Sequence, residues 1–287
     1  MNRPRSSPAW YIPLLLGTIV MIFPLWWMIT LSLETESNAS AALTRGQGLL
    51  AVPADPQWGN YGEAIRRVGT SEWWGFLDAL ANSIVVTTIV LVATILSSSL
   101  VGFAFARIRF RGNRVLFLLM LATMMLPAQV TMIPLFLLFR SLGWVDTLLP
   151  LIVPAFFGSA FFIFMYRQFI SQVPESLIEA AKIDGYGWLG AWWRIVLPMC
   201  RPVTAITAVF TFIFVWNDFM TPLIYLHSEE QATLAVALNS FRNQFNGIKD
   251  VHLLMALSVV TMIPCIILFF AAQKHFIEGL GKGAVKG

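Results

Sequence analysis

The residue types that carry chemistry are few in this chain and far apart. His227 and His252 fall near one predicted membrane surface and His275 near the other, while Cys200 and Cys265 fall on different predicted helices. Neither set has metal-ligand spacing, and no nucleophile stands beside a base. The sequence therefore assigns no catalytic residue, no metal ligand and no disulfide framework. The closing segment GLGKGAVKG imitates a phosphate loop, but the pattern G-x-x-x-x-G-K-[ST] needs Gly at 276 and Ser or Thr at 283, where Phe276 and Gly283 stand. The tail is therefore no phosphate loop. Residues 179–198, EAAKIDGYGWLGAWWRIVLP, form a polar island in which Glu179, Lys182, Asp184 and Arg194 interrupt two long apolar stretches. Charged residues beside small and aromatic ones, with no nucleophile, suit docking onto another protein.

The elements that must position this island follow from composition. Of the 287 residues, 57% are hydrophobic and 12% charged, with mean hydropathy +0.73. That leaves too little polar surface to cover a soluble globule and defines a polytopic membrane protein. A helix needs about 20 apolar residues to cross the hydrocarbon. Five stretches free of charge meet that length, between Arg5 and Glu34, Asp78 and Arg107, Arg114 and Arg140, Asp146 and Arg167, and Asp250 and Lys274. A sixth, Pro202 to Leu226, carries only Asp218. None alternates as a spanning strand would. The predicted fold is all-α with six transmembrane helices.

The net charge of +4 is distributed by topology. With the N-terminus inside, Lys and Arg concentrate in both tails, after the second helix (Arg107, Arg109, Arg111, Arg114) and around the island (Arg167, Lys182, Arg194, Arg201). This bias follows the positive-inside rule and places both termini and the island in the cytoplasm. Split over four short segments, the basic residues make no nucleic-acid patch. The first stretch follows Arg3 and Arg5 and precedes Ala39-Ser40-Ala41, but its apolar run from Trp10 to Leu33 exceeds the core of a cleaved signal.

Residues 1–287 read as a single membrane domain. An extracytoplasmic segment, about 34–78, is too long for a simple turn, and Trp58, Trp73 and Trp74 suit the lipid–water interface. A second external loop runs from His227 to Asp250. The cytoplasmic loop, about 171–200, is predicted to hold two helices. Pro174 suits a first helical position, Glu175 and Glu179 complement the positive helix end and Lys182 the negative one, and Gly185 stands where a helix C-terminus takes positive φ. A second short helix from Trp188 to Arg194 is expected to end before Pro198. Ala180 and Ala181 keep the surface shallow enough to enter a cleft, although Trp188, Trp192 and Trp193 would equally suit a loop resting on headgroups.

Glu179, Ala180, Ala181 and Gly185, followed by Ile195, Leu197 and Pro198, fit the pattern E-A-A-x3-G-x9-I-x-L-P. On these residues the chain resembles the inner-membrane permeases of binding-protein-dependent ABC importers. The resemblance implies that the island, with Asp184 at its turn, is a coupling helix seated in a cytoplasmic ATPase. It further implies a second permease, two ATPase subunits that hold ATP and Mg, and an extracytoplasmic solute-binding protein, with no cofactor on this chain. Trp216-Asn217-Asp218-Phe219, Pro222, Pro127 and Pro134 resemble the carbohydrate, maltose-type branch, so a sugar, an oligosaccharide or a polyol phosphate is the implied cargo. The tail Glu278-Gly279-Leu280 to Gly287 resembles one that some members insert between ATPase subunits.

Within the membrane, Thr94, Ser98, Gly102 and Ala106 recur every four residues, a stripe that permits close helix approach, with the neighbour undetermined between this chain and a partner. Pro127, Pro134 and Pro264 are expected to bend their helices. Asp218 is a lone intramembrane acid. With Trp216 and Asn217 it either faces a polar solute or the docked binding protein, or serves as a helix-end hydrogen bonder. Gln129, Thr131 and Tyr225 are further pathway candidates. An autonomous ion-coupled transporter would want buried ionisable groups, and a membrane enzyme would want a catalytic cluster. For the transporter, the alternative from another class, Asp218 alone near one face is poor support, and for the enzyme no cluster supplies a nucleophile with its base.

Overall fold

The computed structural model describes residues 11–46, 52–68, 72–244 and 249–284, with side chains described to Gln273 and not at 72–74 or 243–244. Among them every regular element is helical. In chain order these are α1 (Tyr11–Ser32), α2 (Glu36–Arg45), α3 (Gly59–Arg66), α4 (Glu72–Arg107), α5 (Asn113–Thr123), α6 (Ala128–Ser141), α7 (Leu149–Ile152), α8 (Ala160–Ser171), α9 (Glu175–Ile183), α10 (Trp188–Ala191), α11 (Leu197–Met199), α12 (Arg201–Trp216), α13 (Met220–Tyr225), α14 (Leu234–Gln244) and α15 (Val251–Ala284). Four continuous segments are long and apolar enough to span a bilayer: Tyr11–Ser32, Gly75–Arg107, Leu149–Ser171 and Val251–Gln273. Two bent pairs raise the number to as many as 6.

The bends have local causes. The predicted third span is two helices meeting at 98°. Pro127 lacks the N–H that would continue a helix from α5, and it takes an extended ψ of 136° as N-cap of α6. Pro134 and Pro264 instead lie inside the continuous helices α6 and α15. Of the three prolines expected to bend a helix, Pro127 is the one at a break.

Two units are compact in themselves, Met1–Leu77 with Ala237–Ile263 and Asp78–Val236 with Pro264–Gly287. In the first, the long polar segment is built up into α2 and α3. Thr35 caps α2 through Oγ1, which accepts from Asn38 N, and Gly46 closes it at φ 65°. Asn60 Nδ2 donates to the carbonyls of Ser32 at 2.8 Å and Glu34 at 2.9 Å, which fixes α3 beside the end of α1. Leu31, Ala39, Ala42 and Val251 pack together beneath it. Trp58 is 69% exposed, as an interfacial indole would be. Trp73 and Trp74 lie outside the described side chains.

In the second unit the small-residue stripe finds its neighbour within this chain. A Cβ on Gly102 would stand 2.7 Å from Tyr166 Cβ and 3.1 Å from Arg167 N, so α4 and α8 touch backbone to backbone. One turn earlier, Ser98 Oγ accepts from Ser159 N at 3.2 Å.

Candidate functional site

The island folds as a helix, a reversal and a second helix. α9 begins at Glu175, one position later than expected, with Pro174 as its extended N-cap in place of the first helical residue. Glu175 sits in its first turn and Lys182 in its last, both favourable to the dipole. The reversal is a Schellman turn: Gly185 takes φ +85°, its N–H donates to Lys182 O at 3.1 Å, and Tyr186 N donates to Ala181 O at 2.9 Å. Nothing lies within 4 Å of a Cβ at Gly185, so its requirement is conformational and not steric. Asp184 is the C-cap, donating its N–H to Ala180 O at 2.9 Å.

The second helix corrects the expectation that it stops before Pro198. It runs from Trp188 through a π-helical turn at Trp192–Val196 into Leu197–Met199. Leu197 N donates to Trp192 O, five residues back. Widening the ladder just before a proline relieves the clash of its ring with the preceding turn. At Cys200 the chain then turns by 80° into α12.

Burial divides the island into two sides. Ile178, Trp192, Val196 and Cys200 join Phe103 of α4, Tyr166 and Ile170 of α8, and Val203 of α12 in one apolar cluster, with Leu197 packed against it. Ile195 is half-buried and Pro198 exposed. On the outward side Glu179, Ala180, Asp184 and Gly185 are exposed, and Ile183 and Leu189 are 86% and 66% exposed. Ala181 is 1% exposed, because it follows Ile178 by three residues on the inward stripe. Of the two alanines, Ala180 alone shapes the outer surface.

Side-chain clasps that the sequence reading missed hold the two helices. Lys182 Nζ lies 3.8 Å from the Trp188 ring centroid, and Arg194 lies over Tyr186 and donates to its hydroxyl at 2.9 Å. Arg107 at the end of α4 donates Nη2 to the carbonyls of Ile170, at 2.6 Å, and Val173. A basic residue closing one helix, opposite the predicted C-terminus of another, was the available signal for this contact.

The pathway candidates separate into groups. Asp218 and Tyr225 line a cavity of about 300 Å³ together with Ser83, Thr87, Thr221 and Thr233. Asp218 Oδ1 also accepts from Thr221 N at 3.1 Å, where the predicted fifth helix breaks between α12 and α13. Trp216 is buried and stacks on Phe212 at 5.3 Å, and Asn217 Nδ2 donates back to Ile213 O at 2.9 Å. Gln129 and Thr131 sit in the first turn of α6 and do not line that cavity. Side chains of the tail from Glu278 lie outside those described, and residues 285–287 lie outside the described residues altogether. No group of His, Cys, Asp and Glu suited to a metal occurs among the described residues.

Up to 6 apolar spans carrying an exposed helix pair, rooted in the core shared by three of them, define a multi-pass transport permease. The chain belongs to the family of binding-protein-dependent transport system inner membrane components, whose pattern it matches over residues 98–282. It is similar to a melibiose/raffinose/stachyose import permease of Bacillus subtilis (strain 168), 30% identical and covering 100% of both chains. It is also similar to an arabinooligosaccharides transport permease of Halalkalibacterium halodurans, 32% identical over 99% of this chain and 100% of the relative. An sn-glycerol-3-phosphate transport permease of Yersinia pestis is 28% identical over 97% of each. Among solved structures, a bacterial ABC transporter involved in import of the acidic polysaccharide alginate superposes with TM-score 0.80 at 26% identity, covering 96% of this chain and 99% of that one.

Proposed function

We propose that this chain is one of two permease subunits of an ATP-driven importer for a sugar or oligosaccharide, acting over residues 1–287 as one membrane domain with both termini in the cytoplasm. Two ATPase subunits hold ATP and Mg, this chain binds no cofactor, and an extracytoplasmic binding protein delivers the solute. Glu179, Ala180, Asp184 and Gly185 form the docking surface, Ala181 and Leu197 root it, and the half-buried Ile195 and exposed Pro198 flank that root. The observation that carries the coupling role is the two-sided island, whose tip exposes 86% of Ile183 while Ile178 on its other side is 3% exposed in a cluster with three spans. An apolar tip in solvent asks for a partner surface, and its inward anchor passes that partner's movement to the spans.

The sugar assignment is supported by similarity to the two saccharide permeases over nearly the full chain. The similarity to the glycerol-3-phosphate permease supports a second reading, a polyol phosphate as cargo. Proteoliposomes holding the two permeases and two ATPase subunits, supplied with the binding protein, test the proposal. ATP-dependent accumulation of a saccharide is expected with the wild type. Glu179→Lys is expected to abolish uptake while the complex inserts normally and the ATPase still turns over. Undiminished uptake by that variant would remove the coupling role, and accumulation by this chain alone would remove the whole assignment.

A further inference from the structure

Residues 108–112 join α4 to α5 with no length to spare. The span Gly75–Arg107 ends where they begin and α5 starts at Asn113, so the chain turns between two membrane helices at the depth of the lipid headgroups. Arg109 and Arg111 in this loop, and Arg114 in the first turn of α5, are exposed. Beside them Phe110 is 39% exposed, and Val115, Leu116, Leu118 and Leu119 are exposed along α5, an apolar border suited to acyl chains.

The loop is built rather than slack. Gly112 takes φ +85°, and Asn113 N donates to Phe110 O at 3.3 Å. Asn113 Nδ2 donates to Ile108 O at 3.2 Å and to Phe105 O at 3.4 Å, which engages two carbonyls that would otherwise repel an anion. Between this loop and the first turn of α9 lies an open groove of about 580 Å³, lined by Arg107, Arg109, Arg111 and Glu175 among others. Its volume is that of a small-ligand site, roughly 300–1,000 Å³.

The charge of the groove is unbalanced, with three arginines against one carboxylate. Arg107 is spent on the carbonyls of Ile170 and Val173, and among the described residues Arg109, Arg111 and Arg114 make no ion pair, with Glu175 or any other acid. Arg114 also stands where the helix dipole favours an acid, and the first turn of α5 holds none. Topology asks only that basic residues stay on this side. It does not ask that they gather around a rigid groove and go uncompensated there. A lipid phosphate is the anion already present at that depth, basic pockets between membrane helices take such headgroups, and guanidinium forks bind phosphate oxygens in pairs. Glu175 repels a bare phosphate, but it accepts hydrogen bonds from hydroxyls carried beyond the phosphate, as on a glycerol headgroup.

We propose that the groove between the α4–α5 loop and the start of α9 holds the headgroup of phosphatidylglycerol or a like anionic phospholipid, with Arg109 and Arg111 on its phosphate. The inference stands apart from the importer reading. The test is native mass spectrometry of the full chain in detergent, loaded with equal amounts of phosphatidylglycerol and phosphatidylcholine of the same acyl chains. Retention of phosphatidylglycerol at least threefold above phosphatidylcholine is expected. It should fall at least threefold in Arg109→Gln and in Arg111→Gln, whose exposed positions leave Tm unchanged, and should hold in Arg201→Gln, which removes an exposed charge at the start of α12. Equal retention of the two lipids, undiminished retention in both loop variants, or an equal loss in Arg201→Gln, the mark of diffuse attraction, would overturn it. So would displacement of the lipid by inorganic phosphate, which would make the groove a site for soluble anions, or by ATPase subunits, which would give it to their surface.

Discussion

Gly102 faces Tyr166 so closely that a β-carbon on the glycine would lie 2.7 Å from that of the tyrosine, with the Arg167 amide nitrogen and the Ile163 carbonyl oxygen each at 3.1 Å. Two of these three neighbours are backbone atoms, so no rotamer change makes room. Gly102→Ala must push α4 and α8 apart, at a cost of about 1–3 kcal/mol. A fall in Tm of the purified protein is expected, whereas Gly17→Ala, with nothing within 4 Å of the new carbon, should leave Tm unchanged or slightly raised. Equal melting of the two variants would contradict the close approach.

At Gly185 the constraint is of another kind. Its φ of +85° penalises a β-branched residue although the space around it is open, so Gly185→Val should lose about 1–2 kcal/mol locally. Gly185→Asn, which tolerates the left-handed region, should recover much of that. Pull-down of the ATPase by each variant reads the effect, with the order glycine, asparagine, valine expected. A valine variant that binds as the wild type does would show that the turn's shape is irrelevant to docking.

Arg107 serves two carbonyls at the end of α8. Hydrogen bonds from a charged donor contribute about 1.5–3 kcal/mol, and Arg107→Met should lose that while keeping the aliphatic stem. Hydrogen exchange across residues 167–175 should quicken in the variant, and unchanged protection there would argue against the tie.

Asp146 takes a positive φ of 61°, and its Oδ1 accepts from Ser228 N, His227 N and Ser228 Oγ, each at 2.9 Å. Those three bonds, the Ser228 amide foremost, hold its carboxyl below the ordinary value of 3.8. With the folded pKa depressed, the stabilisation is fully present above the unfolded value and fades as pH falls through the folded one. The Tm gap between wild type and Asp146→Ala is therefore expected to stay constant near neutral pH and to close below pH 3.8. A gap that widens in acid would reverse the assignment.

Periodicity and charge spacing made the number of spans legible, because crossing a bilayer imposes a length that composition alone reveals. The Gly185 turn was legible for a related reason, since only one residue type adopts that conformation without strain. The continuation of α10 past Pro198 was hidden, because proline ordinarily ends a helix and the π-helical turn that accommodates it leaves no compositional mark. Ala181 looked interchangeable with Ala180, and only the position of Ile178 on the same stripe sets it inward. The shared cavity of Thr87, Thr233 and Asp218 could not be read at all, since residues so far apart in sequence meet there only through the course of the helices.

The tie from Arg107 also bears on how force travels. It grips the last carbonyls ahead of Pro174, where the backbone leaves α8 for α9. A joint braced by a neighbouring strut resists folding, so under the proposed docking a push at Ile183 would move whole rods before it buckled the linkage.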